Sequence, residues 1–278
     1  MYCCSHNTIE RNQQTVSIQL IDQINSKYLF TEDDFFVITG GEPTISPTFV
    51  DIITYISAYS KHIILYTNGR LLSQYSSSFL RKIERIIIPI YGNESQHDKY
   101  VCAENAFAET MRSIDVVNKI DPDLLEIKFV IGNMRNLEAL SAFAERKDIL
   151  QTRHISIDKL ITRNKEMNFD DNLLLAVEKL IVKLHHSGKA VKFYDWPLCH
   201  FSKDFLLNIE KCYSKQDNIS FLIICCPTNH VPFIYEFNAK ARFFQKCSEC
   251  NKSLFCSQIM RRYYCPVWDG DKCWIGTE

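Results

Sequence analysis

The chain contains no apolar run long enough to cross a bilayer, which excludes a helical membrane span. Its first 30 residues lack the apolar core of a secretory signal peptide. It also lacks an excess of either charge. With 32 basic and 33 acidic residues the net charge is −1, too even for the basic footprint of a nucleic-acid binder. These absences predict a cytoplasmic protein with neither nucleic acid nor membrane as a partner. What remains is 278 residues with a hydrophobic fraction of 46%, enough for one α/β barrel of ordinary size or for a core plus an appended module.

Cysteine, by contrast, is plentiful and unevenly placed. Of twelve cysteines, Cys3 and Cys4 stand at the start, Cys102 stands alone, and nine fall between Cys199 and Cys273. Structural disulfides are uncommon inside cells, so a metal or iron–sulfur role is favoured. In the run Cys247-Ser248-Glu249-Cys250-Asn251-Lys252-Ser253-Leu254-Phe255-Cys256, two thiolates three residues apart can converge on one metal, and a third can close the site. By chemistry alone zinc and iron–sulfur are equal competitors there. Cys225, Cys226, Cys265 and Cys273 follow no clear spacing and read as buried thiols.

Between residues 15 and 195 the pattern alternates. Apolar helical spacing at Val16, Ile18, Leu20, Ile21 and Ile24 predicts a helix over residues 15–28. The run Phe35-Phe36-Val37-Ile38-Thr39 shows no alternation and predicts a strand buried on both faces of a parallel sheet. Ser46-Pro47 marks a helix start, and further strands are predicted at residues 61–67, 85–92, 126–131, 154–157 and 191–194. Helices fall between them, through Phe79, over 103–119, over 137–146 and over 172–186, with Gly188 as a stop. Regular strand–helix units predict a parallel β/α barrel.

The first strand runs into Gly40-Gly41-Glu42-Pro43. Two glycines open backbone angles closed to other residues and admit a ligand to the main chain. Pro43 then stiffens the turn that carries Glu42. In barrels of this kind ligands bind at that end of the strands, and a carboxylate beside open carbonyls suits an ammonium group. Asn-Gly at Asn68-Gly69 reads as a turn. Asn136 reads as a cap for the helix that follows it, and His97-Asp98 as a capping pair.

Taken together, Gly40-Gly41-Glu42-Pro43, Tyr2-Cys3, Thr67-Asn68-Gly69, Tyr91-Gly92 followed by His97-Asp98, Asn136, and the tail Pro197-Leu198-Cys199 with Cys247, Cys250, Cys256 and Tyr263-Tyr264 resemble the radical S-adenosylmethionine (radical SAM) enzymes. The resemblance covers residues 1 to about 265. It departs from the pattern at Gln258, where the family has glycine. It implies a partial parallel (β/α)6 TIM-like barrel over residues 1–195, its first strand missing, and a cysteine-rich extension over residues 196–278. It implies cofactors: S-adenosylmethionine and a [4Fe–4S] cluster that cleaves it to a 5′-deoxyadenosyl radical, an oxidoreductase chemistry. Gly40, Gly41, Glu42 and Pro43 would hold its ammonium, and Asn68 and Asn136 would lie along its ribose or carboxylate. Cys3 would be a cluster ligand, and Cys199, Cys247, Cys250 and Cys256 would hold an auxiliary [4Fe–4S] cluster, with zinc as the competitor. The implied partners are a peptide or small-metabolite substrate and a reductant such as flavodoxin or ferredoxin. The alternative is a non-catalytic zinc- or iron–sulfur-binding scaffold on a decayed barrel.

The family's cluster motif is Cys-x3-Cys-x2-Cys, and Cys3 aligns with its last position. The reading expects the codon immediately before Met1 to encode cysteine, and another cysteine four codons further upstream. Sequencing the genomic region checks this; a stop codon there would mark a degenerate protein.

Overall fold

The computed structural model describes residues 16–160 and 171–194, Trp196, Phe201, Ser202 and Phe205, and four short strands between residues 220 and 274. The runs rich in isoleucine, valine and phenylalanine form strands, because branched side chains fit a pleated surface. These are β1 (Phe36–Ile38), β2 (Ile63–Tyr66), β3 (Arg85–Ile90), β4 (Leu125–Ile131), β5 (His154–Lys159) and β6 (Ala190–Tyr194). Each pairs parallel with the next, in the order β1-β2-β3-β4-β5-β6. The sheet is unclosed, with β1 and β6 as its edges. It is an α/β sheet wound in one direction, a partial barrel.

Helices connect the strands: α1 (Ile18–Tyr28), α2 (Phe49–Ile56), α3 (Ser77–Leu80), α4 (Glu94–Val101), α5 (Ala106–Ile120), α6 (Met134–Ala144), α7 (Lys147–Leu150) and α8 (Asp171–His186). Parallel register requires such crossovers, and their right-handedness places them on one side of the sheet. Their apolar faces supply Ile53, Leu80, Ile114, Val117, Leu140, Ile181 and Leu184 to a core completed by Leu65, Ile86, Ile88, Ile127, Phe129, Ile155 and Val191 from the strands. Full burial of each such side chain contributes about 2 kcal/mol. Because strand side chains alternate, the residues between these point away from the helices, a division that shapes the site below.

Pro89 lies inside β3, where a proline removes a ladder donor. In a parallel strand alternate residues address alternate neighbours, and Ile87 addresses β2, accepting from Thr67 N–H at 3.2 Å. Pairing with β2 ends at Tyr66 and Ile87, so the missing donor of Pro89 falls just past the ladder.

Three expectations need correction. The first strand is not buried on both faces: Phe35 is 64% exposed and Val37 46%, because β1 is an edge of the sheet. The helix expected at Ser46-Pro47 begins at Phe49; a 3-10 turn, Pro43–Ile45, intervenes, and the Thr48 hydroxyl donates to Val16 O at 3.0 Å. The helix expected from Ala103 begins at Ala106, since Cys102 and Asn105 take left-handed conformations, φ 56° and 60°, that end α4 and set α5 apart. Gly188 does stop α8, with φ +76°. In the extension, β7 (Ser220–Cys225) pairs antiparallel with β8 (Phe233–Asn238), and β9 (Val267–Asp269) with β10 (Lys272–Trp274). No described helix is long and apolar enough to cross a membrane.

His97 on α4 is 2% exposed, and its Nδ1 is buried without a hydrogen-bond partner among the described residues. Burial pushes its pKa down from 6.5 to about 4, with Asp98 opposing and Arg70 adding to the shift. The folded protein therefore resists a proton that the unfolded chain accepts at 6.5. Stability falls as pH drops from about 6.5 towards 4, by on the order of 2–3 kcal/mol. Urea unfolding of wild type and His97→Leu at pH 7 and pH 4.5 checks this: the variant loses that part of the difference.

Candidate active site

The carboxyl ends of the strands carry nearly all the polar turns singled out above. After β1, Gly40 adopts φ +145°, an angle effectively reserved for glycine. A Cβ there would meet nothing within 4 Å, so the requirement is conformational and the surrounding space is open. The turn then places Glu42 at the N-cap of the 3-10 segment.

Glu42 reaches sideways rather than outward. Its Oε1 accepts from Thr44 N–H at 3.1 Å, from the Thr44 hydroxyl at 2.6 Å and from the Thr67 hydroxyl at 2.6 Å. Its Oε2 accepts from Asn68 N–H at 2.7 Å. Four donors on one partly buried carboxylate make a strong, charge-assisted brace between the ends of β1 and β2. The nearby Tyr75 hydroxyl donates to Thr44 O at 2.9 Å, and burial, then the Glu42 charge, pushes the Tyr75 pKa up.

The turn after β2 is locked from both sides. Thr67 Oγ1 accepts from Gly69 N–H at 3.1 Å, and Asn68 Oδ1 accepts from Arg70 N–H at 2.9 Å. The buried Thr110 hydroxyl of α5 donates to Asn68 O at 2.9 Å, and Arg70 pairs with Glu109 of the same helix. Gly69 takes φ +79° with its Cα against Ile88, where a Cβ would lie 3.0 Å from Cδ1. The Asn68 carboxamide thus spends its oxygen on the turn and keeps its NH2 donors.

Asn136 is placed differently from the expectation. The N-cap of α6 is Asn133, whose side chain accepts from Asn136 N–H at 2.9 Å. Asn136 lies one turn in, accepting from Gly132 N–H at 2.8 Å and donating to Tyr91 O at 2.5 Å. It ties the end of β4 to the end of β3, and both ends of its amide are engaged. Asp98 accepts from Phe107 N–H at 2.7 Å, capping α5 from the preceding helix, while Asn93 and Gln96 form the capping box of α4. Gly40, Gly41, Glu42, Pro43, Asn68 and Asn136 therefore share one end of the sheet. Cys3, Cys199, Cys247, Cys250 and Cys256 lie outside the described residues, and among the described residues no three His, Cys, Asp or Glu converge on a metal position.

Sequence reasoning passed over the sheet's inner face. There Lys128 pairs with Asp158 at 2.5 Å, and Lys192 approaches Glu126 at 3.5 Å. The signal was present as charged residues alternating with apolar ones in β4 to β6, but the strands were read for their apolar members.

No family model matches the chain. Over 108 residues it is 32% identical to the AdoMet-dependent heme synthase of Methanosarcina barkeri (strain Fusaro / DSM 804), a match covering 38% of this chain and 30% of that protein. A second match, 23% identical over 133 residues, is to a polypeptide of the nuclease SbcCD of Staphylococcus aureus (strain bovine RF122 / ET3-1), covering 48% of this chain and 13% of that protein. The chain thus spans less than a third of the length of either curated relative. Among solved structures, native anSMEcpe with bound AdoMet and Kp18Cys peptide superposes with a TM-score of 0.59 at 12% identity, covering 98% of this chain and 87% of that one. Over the shared stretch the chain is thus similar to an AdoMet-dependent enzyme, and its partial barrel has the fold of anSMEcpe.

Proposed function

We propose that the chain binds S-adenosylmethionine at the carboxyl ends of β1 and β2 and acts as a radical SAM enzyme on a peptide or small metabolite. The observation that carries this reading is the Gly40 to Glu42 turn. It holds a glycine-only angle with open space around Gly40, on a strand end where Glu42 accepts two hydrogen bonds from Thr44 in its own turn and two from Thr67 and Asn68 after β2.

Glu42 in this reading is a positioning residue. Its carboxylate is occupied by protein donors, so the cofactor's ammonium is received by the main chain that Glu42 orients, and its negative charge favours that cation from close by. The NH2 of Asn68, which has no protein acceptor among the described residues, is suited to a ribose hydroxyl or the carboxylate. Asn136 keeps the ends of β3 and β4 together beneath the site. A [4Fe–4S] cluster, with Cys3 among its ligands, would supply the electron that breaks the sulfonium C–S bond, and a flavodoxin or ferredoxin would deliver it. The extension over residues 196–278 would hold a second cluster through Cys199, Cys247, Cys250 and Cys256. A peptide substrate is favoured by anSMEcpe, which adopts this fold with AdoMet and a peptide bound. A cytoplasmic setting suits a cluster of this kind.

Anaerobic reconstitution with iron and sulfide tests the reading. Iron with acid-labile sulfide, followed by release of methionine and 5′-deoxyadenosine on reduction, is the expected result. One zinc per chain with no labile sulfide would support the scaffold alternative instead. Glu42→Gln turns one acceptor into a donor facing Asn68 N–H or the two threonine hydroxyls. It should weaken S-adenosylmethionine binding at least tenfold, measured by equilibrium dialysis, while the circular dichroism spectrum stays that of wild type.

A further inference from the structure

The inner face of the sheet is the unexplained part of this molecule. Barrel interiors are ordinarily filled by layers of branched apolar side chains. The strand registers here place a different set on that face: Tyr66 of β2, Arg85, Ile87 and Pro89 of β3, then polar residues on β4 to β6. Glu126 is 3% exposed, Ser156 1% and Asp158 7%. Lys128 Nζ lies 2.5 Å from Asp158 and 5.5 Å from the centre of the Tyr66 ring. Lys192 Nζ, on a half-exposed side chain, stands 3.5 Å from the buried Glu126 carboxylate.

A fold has little to gain from this arrangement. Withdrawing charges from water costs about as much as pairing them returns, and apolar residues of similar size are often as stable or more so. Two polar atoms on this face also have no hydrogen-bond partner among the described residues: the Ser156 hydroxyl and Arg85 Nη1. Such groups are uncommon in a finished interior and call for an explanation. Among the described residues of this face the charges do not cancel: Arg85, Lys128 and Lys192 outnumber Glu126 and Asp158 by one. Burial, followed by the Arg85 charge, pushes the pKa of neighbouring His154 down, which favours its neutral form. An anion that accepts hydrogen bonds is the chemical class that would complement such a face.

We propose that the inner face of β4 to β6 anchors the substrate, with Lys128 and Lys192 receiving a substrate carboxylate, the Ser156 hydroxyl donating to it, and Asp158 orienting Lys128. This deepens the radical SAM reading and rests on it for the word substrate. Asp158 stands one residue before the end of β5, so the anchor lies toward the end of the sheet that carries the Gly40 turn. The substrate is then an acidic one, either a peptide with a glutamate or aspartate side chain or a small dicarboxylate.

Isothermal titration of the full chain separates these. The probes are a blocked hexapeptide with two central glutamates, its glutamine and lysine counterparts, and glutarate. The glutamate peptide or glutarate should bind, and which of them binds tells peptide from metabolite; the glutamine and lysine peptides should bind at least tenfold more weakly. Lys128→Met should lower affinity for the acid at least tenfold and Lys192→Met several-fold. Since Lys128→Met leaves Asp158 alone, the pair Lys128→Met with Asp158→Asn provides a second variant that keeps the net charge of the face and should lose the acid equally. Equal binding of all three peptides, no binding of either acid, or unchanged affinity in the variants would overturn the proposal. S-adenosylmethionine binding is measured on the same samples. If it is absent while the acid still binds, the cofactor reading fails and the carboxylate site stands; if it persists in the variants that lose the acid, the two sites are distinct.

Discussion

The Glu42 carboxylate is the constraint on which the upper end of this sheet depends. β1 is three residues long and lies at an edge, with register to β2 over three pairs only. Such a strand has few ladder bonds to hold its end in place. Four donors converging on one carboxylate, from the 3-10 turn on one side and from Thr67 and Asn68 on the other, hold that end against the turn after β2. The β2 turn is itself held by α5 through Thr110 and Arg70. A short edge strand is thereby tied at its end to its neighbour by side-chain hydrogen bonds where ladder bonds are few.

The same logic of cross-ties runs along the rim. Asn136 joins β4 to β3, and Asp98 joins α4 to α5. Each replaces direct strand pairing at the point where the strands have ended and their last backbone groups need partners. The rim is therefore a chain of short polar links rather than a continuous ladder. Behind it the two faces of the sheet differ: alternating isoleucine, leucine and phenylalanine on the helix side supply stability, and the other side carries the charged residues.

Much of this was legible in the order of residues. The six strands lie where apolar runs occur, and the connecting helices follow, because parallel pairing demands a crossover and the crossover demands an amphipathic helix. The glycine pair could be read as a turn needing unusual angles, and Gly40 has one. The roles of the polar rim residues were less legible. Glu42 reads as an acid offered to a ligand, whereas its carboxylate is spent on Thr44, Thr67 and Asn68, partners up to 26 residues away. Asn136 reads as a cap, yet Asn133 three residues earlier holds that position and releases Asn136 for a tie across 45 residues. Local propensity can name a cap but cannot choose between two asparagines when a long-range bond decides.

The sequence alone determined the period of the elements, the parallel class of the sheet and the placement of the glycine-acid turn at a strand's end, because these follow from local sterics and from burial repeated every two or about 3.6 residues. Only the tertiary structure decided which strand lay at an edge, which carboxylate was already satisfied, and that Glu126, Lys128, Ser156, Asp158 and Lys192 share one face. Register between strands, and hence the pairing of charges across them, is a property of the assembled sheet; no residue carries it by itself.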